Sequence, residues 1–184
     1  MTKRKAKDLR YAVWATAWGP MGALADGDCV SRIVLPHYQA NDLRDLLKWE
    51  HAGAVEDLDV FSLLVELSRN YFNGKVTDFG SVPCNLPGEG TFSGMVYRAC
   101  REIPYGRALS YGQLAEKIAR PDAARAVATA LSKNAIPLVI PCHRVTYSDG
   151  RAGGFSAPGG VQQKMRMLSL EKSATGGLGS CEQD

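Results

Sequence analysis

Long apolar runs are missing from this chain of 184 residues. None approaches the roughly 20 residues a helix needs to cross a bilayer, so no membrane span is expected. The opening MTKRKAKDLR is basic but has no apolar stretch behind it, which argues against a secretory signal. Paired cysteines are missing too. Cys29, Cys84, Cys100, Cys142 and Cys181 are odd in number, widely spaced and without a C-x-x-C pair. A disulfide framework is thereby disfavoured and a reducing compartment expected, cytoplasmic, or nuclear in a eukaryote. Histidine is scarce: only His37, His51 and His143 occur. Cys29, His37 and a third residue could in principle hold zinc, but their spacing matches no compact metal motif, so neither a metal nor another cofactor is expected. Charge of one sign is not strongly in excess. The net +3 permits an anionic partner without demanding one. Three lysines and one arginine fall in the first seven residues, where a solvated arm is the simplest reading.

What is present suits a soluble globular protein: 45% hydrophobic and 22% charged residues, enough chain for one ordinary domain or two small ones. In YAVWATAWGPMGALADGDCVSRIVLP, alternating Tyr11, Val13 and Ala15 are broken by turn signals at Gly19-Pro20 and Asp26-Gly27-Asp28. Two or three antiparallel strands follow from that pattern. NDLRDLLKW reads as a short amphipathic helix with Asn41 as N-cap. In DVFSLLVELSRNYFNGK, Phe61, Leu64, Val65, Tyr71 and Phe72 recur at helical spacing and Gly74 is the stop. DFGSVPCNLPGEG holds two prolines and three glycines in thirteen residues and marks a linker. An N-terminal α/β domain over residues 1–90, a second domain over 91–172 and a disordered tail over 173–184, with Cys181 an incidental thiol, are the expected divisions.

The second domain reads as mainly helical. TFSGMVYRACREI places Phe92, Val96, Ala99 and Ile103 on one face. SYGQLAEKIA opens with Ser110 and Gln113 in capping-box spacing, which starts a helix at Tyr111. RPDAARAVATALSKN follows, with Pro121 suited to the first helical position. The pair is a helix-turn-helix candidate, a weak signal by itself. Within AARAVATA, Arg125 is the one long side chain. An alanine-packed core helix explains the small residues but not the arginine, which is rarely buried unpaired.

In PLVIPCHRV, the run LVI reads as a short buried strand ended by Pro141, which puts Cys142 at a strand end. A thiol becomes a useful nucleophile with a base or a positive field beside it. His143 could supply the base and Arg144 the field. Neighbouring side chains of an extended segment point to opposite faces, however, so direct contact would need a turn and a bridging water would relax the geometry. A buried structural cysteine beside a satisfied histidine remains the competing reading.

IPCHRV, with Asn134 eight residues before the cysteine, together with SKNAIPLV, SYGQLA, ARAVATAL and GGFSAPGGVQQKMRMLSLE, closely resembles the active-site region of the O6-alkylguanine-DNA alkyltransferases, the methylated-DNA–protein-cysteine methyltransferases. The likeness is strong over residues 91–171 and looser upstream, through YFNGKVTDF and PCNLPGEGTFS. It implies a ribonuclease-H-like N-terminal domain with an antiparallel sheet and a winged-helix-like C-terminal domain. It also implies direct-reversal DNA repair by a monomer: one stoichiometric transfer of a methyl or larger alkyl group from O6 of guanine, and from O4 of thymine, to Cys142. By the same resemblance His143 would act as base through a water, with Glu171 orienting it and Asn134 as a hinge between recognition helix and active-site segment. Tyr111 would hydrogen-bond the base and crowd its phosphate. Arg125 would fill the gap left by a flipped nucleotide. Ala123 and Ala124 would lie against the minor groove of double-stranded DNA, backbone groups at Val145 and Ser156 would read the guanine edge, and Ser148 would lie near the phosphates. Three departures stand out: Phe155 where tyrosine is frequent, two extra residues around GGFSAPGG, and Gly112 where glutamine is common. No four-cysteine zinc domain precedes the core, so a methylation-sensing transcriptional role is not expected. Two other classes of function compete: a lesion-flagging protein that binds alkylguanine without repairing it, which the presence of Cys142 disfavours, and a cysteine hydrolase, which leaves Arg125 and the helix pair unexplained.

Overall fold

The computed structural model describes residues 8–176; the basic arm and Cys181 lie outside the described residues. The chain opens with β1 (Leu9–Thr16), β2 (Gly19–Asp26) and β3 (Cys29–Val34), an antiparallel meander. The first turn falls on residues 17 and 18, just upstream of the Gly19-Pro20 signal, and Gly19 already pairs with Thr16. The second turn uses Gly27 at φ +59°, a left-handed conformation that glycine adopts without steric cost.

α1 (Ala40–Glu50) crosses one face of the sheet, and β4 (Val55–Glu56) then pairs with β1 in parallel, giving the order β3-β2-β1-β4. The sheet is therefore mixed rather than purely antiparallel, because a strand that returns after a crossover helix arrives in the direction of the first. Asn41 is not the cap of α1. Gln39 holds the extended cap conformation, and its carbonyl accepts the first helical bond from Leu43 N at 3.0 Å.

Both faces of the sheet are covered, which explains why residues 11–14 are all buried instead of alternating. Tyr11, Val13, Leu24 and Val34 pack against Leu43 and Leu47 of α1. Ala12, Trp14, Met21 and Ile33 face the other way, toward α2 (Ser62–Phe72) and the C-terminal helices. α2 ends as the sequence indicates, with Gly74 at φ +78° donating its N–H to Tyr71 O at 2.9 Å. The linker has no helix, but Val30 bridges to Cys84 within it. One core joins Phe61, Tyr71 and Phe72 from before the linker to Val96, Cys100, Leu114 and Ile140 after it.

Beyond the linker come α3 (Phe92–Arg101), β5 (Leu109–Ser110), α4 (Tyr111–Lys117), α5 (Ala124–Leu131), β6 (Val145–Thr146) and α6 (Gly160–Gly176). Both halves of the capping box are made: Ser110 Oγ accepts from Gln113 N at 3.1 Å and Gln113 Oε1 from Ser110 N at 2.7 Å. Pro121 opens a single 3-10 turn, Pro121–Ala123, before α5, so the regular helix is shorter than the sequence pattern suggests. α6 runs through Gly176, so residues 173–176 of the expected tail are helical. Among the described residues no helix is long and apolar enough to cross a membrane.

The run LVI is buried but is not a strand. Ile140 N donates to Ile136 O at 3.0 Å, Leu138 takes φ +75°, and Cys142–Arg144 form a 3-10 turn. Among the described residues no neighbouring strand is available to 138–140; β5 pairs instead with β6, after the cysteine, through Leu109–Val145 and Ser110–Thr146. That short parallel pair seats Tyr111, the first residue of α4, beside the Cys142 turn. Replacing the cap by Ser110→Ala should cost about 1 kcal/mol of unfolding free energy, read as a lower urea midpoint at unchanged slope.

Candidate active site

Cys142 begins its 3-10 turn with 7% of its surface exposed. Asn134, just past α5, organises the approach to it. Its Nδ2 donates to Ile140 O at 2.9 Å and to Cys142 Sγ at 3.1 Å, while its Oδ1 accepts from Ile136 N at 3.0 Å. One amide thus holds the irregular 136–140 turn and the sulfur together. Burial pushes the Cys142 thiol pKa up; the Asn134 hydrogen bond and the Lys164 charge pull it down, without cancelling the effect of burial.

Successive side chains of a 3-10 turn splay by about 120°, so His143 points away from Cys142. Its Nε2 lies 2.7 Å from Glu171 Oε1, and Tyr71 Oη donates to the same oxygen at 2.9 Å and lies 3.4 Å from Nε2. An ionised carboxylate only accepts, so the ring proton sits on Nε2 and Nδ1 keeps its lone pair. Nδ1 is buried and has no partner. Among the described residues no hydrogen bond joins the His143 imidazole to Cys142.

Glu171, 1% exposed on α6, is surrounded by donors. Arg144 reaches Oε2 through Nε at 2.9 Å and Oε1 through Nη2 at 3.0 Å, and Gly106 N donates at 2.9 Å. Burial alone would raise the Glu171 pKa, but hydrogen bonds and charge from His143 and Arg144 outweigh it and bring it down to about 2. Burial likewise depresses His143, and the Glu171 carboxylate only partly opposes this, so the imidazole stays neutral near pH 7. Arg144 does not supply a field to Cys142, as the sequence suggested. Its guanidinium is held by Glu171 and by Ile103 O at 2.7 Å.

The cation near the thiol is Lys164. It is fully buried, donates to Val145 O, and lies 5.8 Å from the centre of the Tyr111 ring. Burial lowers its pKa to about 8. Tyr71 and Lys164 both escaped the sequence reading. A signal for Lys164 existed: with Met167 and Glu171 it occupies one face of α6 at helical spacing, an odd place for a lysine.

A pocket of about 340 Å³ opens onto Cys142, walled by Tyr111, Ala128, Leu131, Phe155 and Ser156. Its size falls in the range of small-ligand sites. Gly153 crosses behind Tyr111 at φ +68°, where a Cβ would come within 2.7 Å of the Tyr111 hydroxyl. The structure thus brings together Cys142, His143, Asn134 and Glu171, with Tyr111, Val145 and Ser156 around them. Arg125, on α5, and Ser148, in the turn after β6, are exposed, and Ala123 and Ala124 are half-buried at the start of α5. A larger pocket of about 740 Å³ lies on the Arg144 side, lined by Arg98, Arg101 and Tyr105 among others, with no cysteine or histidine in its lining. Among the described residues no three His, Cys, Asp or Glu side chains gather as a metal site.

A buried thiol, an imidazole with one free nitrogen and a carboxylate beneath it are the groups that nucleophilic cysteine chemistry draws on. A helix pair lies beside them. Residues 91–173 match the family model described as 6-O-methylguanine DNA methyltransferase, DNA binding domain. The methylated-DNA–protein-cysteine methyltransferase of Haemophilus influenzae is 35% identical over 165 residues, covering 89% of this chain and 87% of the relative. That of Metallosphaera sedula is 33% identical, covering 90% and 94%. The crystal structure of Mycobacterium tuberculosis O6-methylguanine methyltransferase superposes with a TM-score of 0.73 at 32% identity, covering 90% of this chain and 94% of that one. The OGT of the same organism in complex with DNA gives 0.74 at 32% identity with the same coverage. The chain belongs to the methylated-DNA–protein-cysteine methyltransferase family.

Because the folded Glu171 pKa lies below its unfolded value, its contribution to stability is complete above the ordinary carboxylate range and is lost as pH falls toward about 2. Glu171→Gln should cost about 3 kcal/mol at pH 7 by leaving Arg144 without its counter-charge. It should also flatten the acid limb of a stability-against-pH curve measured by urea unfolding.

Proposed function

We propose that this protein reverses DNA alkylation directly, taking a methyl or larger alkyl group from O6 of guanine, and from O4 of thymine, onto Cys142, once per molecule. The observation that carries the reading is the unpartnered Nδ1 of His143, one residue from a buried thiol at the foot of a small pocket. The substrate is double-stranded DNA; the similar Mycobacterium tuberculosis OGT has been solved in complex with DNA.

The reacting oxygen of guanine lies inside the base stack, so the nucleotide must leave the helix before a sulfur can reach it. Arg125, long and exposed on α5, suits the gap left behind. Ala123 and Ala124 let that helix approach closely in the minor groove, and Ser148 sits where a phosphate would pass. In the pocket, Tyr111 and the backbone of Val145 and Ser156 hold the extruded base. The Val145 carbonyl keeps a second lone pair for this, since Lys164 occupies one.

The thiol proton passes through a water to His143 Nδ1, and Glu171 stabilises the resulting imidazolium. Sγ attacks the alkyl carbon, the carbon–O6 bond breaks, and its electron pair leaves with the purine, which then takes up a proton. Lys164 offsets charge on sulfur before the attack. The product is a thioether that no group in the site can cleave, which limits each chain to one event. The reading extends to a monomer working in a thiol-reducing compartment, with a ribonuclease-H-like unit before residue 91, a winged-helix-like unit over 91–172, and Asn134 as the hinge between α5 and the cysteine turn.

Intact mass after mixing with a duplex carrying one O6-methylguanine tests this. A gain of one methyl group per chain, absent in Cys142→Ala, supports repair. Lesion-specific binding without mass gain would mean a flagging protein, and continuous turnover a hydrolase. His143→Ala should slow transfer by about 100-fold. Since burial depresses the His143 pKa, the wild-type rate should hold as pH falls through the ordinary histidine range and drop only below it.

A further inference from the structure

Tyr147 is an aromatic residue that none of the roles above uses, and the structure takes trouble to hold it. It lines the Cys142 pocket together with Tyr111 and Phe155, yet remains 47% exposed at the mouth. Its ring meets the Tyr111 ring edge-on, with centroids 5.4 Å apart. The guanidinium of Arg151 lies 5.2 Å from its centroid. That cation is fixed in turn, because Arg151 Nε donates to Asp149 Oδ2 at 2.7 Å and Arg151 N to Asp149 Oδ1 at 3.0 Å. Tyr147 N donates to Arg151 O at 2.9 Å and Gly150 N to Tyr147 O at 3.0 Å, closing a tight turn that sets the ring's direction.

A half-exposed ring gains less from burial than a core aromatic does, so burial alone does not account for this bracing. What it does provide is a rigid π-surface facing the pocket, with a cation beside it. Cation–π contact with Arg151 orients the ring, and a flat heterocyclic base is the partner an oriented aromatic surface favours. Tyr111 and Phe155 supply two further aromatic surfaces around the same 340 Å³. Among the other walls, Ala128 and Leu131 are aliphatic and Ser132, Gly154 and Ser156 carry no ring, so none offers stacking.

Resting on the repair reading, we propose that Tyr147, braced by Arg151, is a stacking wall for the extruded alkylpurine and sets the affinity of the pocket for the base itself. It acts on binding rather than on the transfer step, since the Cys142–Asn134 and His143–Glu171 contacts involve neither residue.

The test is single-turnover methyl transfer against substrate concentration, with the free base O6-methylguanine and with a duplex carrying one lesion. Tyr147→Ala should raise the half-saturating concentration about tenfold for both substrates while the limiting rate stays within about twofold. Tyr147→Phe keeps the ring and should return most of that loss; Arg151→Ala should fall between them. Equal melting temperatures for Tyr147→Ala and wild type exclude a folding defect. Unchanged half-saturation with both substrates overturns the proposal. A loss confined to the duplex overturns it as well, assigning the ring to flanking DNA, and a fall in limiting rate alone would reduce Tyr147 to a support for Tyr111. If wild-type protein transfers no methyl group, the repair reading fails separately. Calorimetric binding of free O6-methylguanine to Cys142→Ala, with and without Tyr147→Ala, still decides the stacking role.

Discussion

The Glu171 carboxylate is the constraint from which the site follows. A buried ion with no partner would cost several kcal/mol, so a carboxylate that is 1% exposed must be met by donors on every side. They come from three places: His143 and Arg144 in the 3-10 turn, Tyr71 in α2, and Gly106 in the loop after α3. Meeting that one charge pins the Cys142 turn against the last helix and brings Tyr71, from the N-terminal half, into the site. The imidazole has one nitrogen committed to the carboxylate, and the other is free by elimination. The same contact that stabilises the fold thereby chooses the tautomer a base requires.

Around the sulfur the balance is different. Burial raises the thiol pKa, and it is opposed first by the Asn134 amide, then by the Lys164 ammonium and by backbone N–H groups of Cys142 and His143. Lys164 has a carbonyl and an aromatic ring but no carboxylate for company among the described residues, so its charge remains available to an anion at Cys142. The two buried cations divide the work. Arg144 serves the carboxylate and holds the frame, while Lys164 serves the sulfur. Exchanging those roles, as a reading of adjacent residues suggests, would leave Glu171 uncompensated.

Much of the local structure was legible in the chain. The capping box at Ser110 and Gln113 forms as written, and Gly74 stops α2, because both depend on contacts within a few residues. The meander of β1 to β3 follows from its alternation and turn residues. Cys142, His143, Asn134 and Glu171 could be named from the motif and its resemblance. Asn41 failed as a cap because the extended backbone preceding the helix lies two residues before it, at Gln39, and Asn41 is already inside the helix. LVI failed as a strand because a buried apolar run reads the same whether or not a partner strand exists.

The sequence by itself determined which groups are available: one cysteine–histidine pair, a helix with a single long cation, and a carboxylate on the last helix. Only the tertiary structure decided what each group does. β4 runs parallel because a helix separates it from β1. Tyr71 meets Glu171 across 100 residues of chain. Arg144 turns from the thiol to the carboxylate, and Lys164 takes its place. Each of those outcomes is a contact between distant segments, settled by which pairings leave no buried charge or hydrogen-bonding group unmet, a condition on the whole fold that no local pattern records.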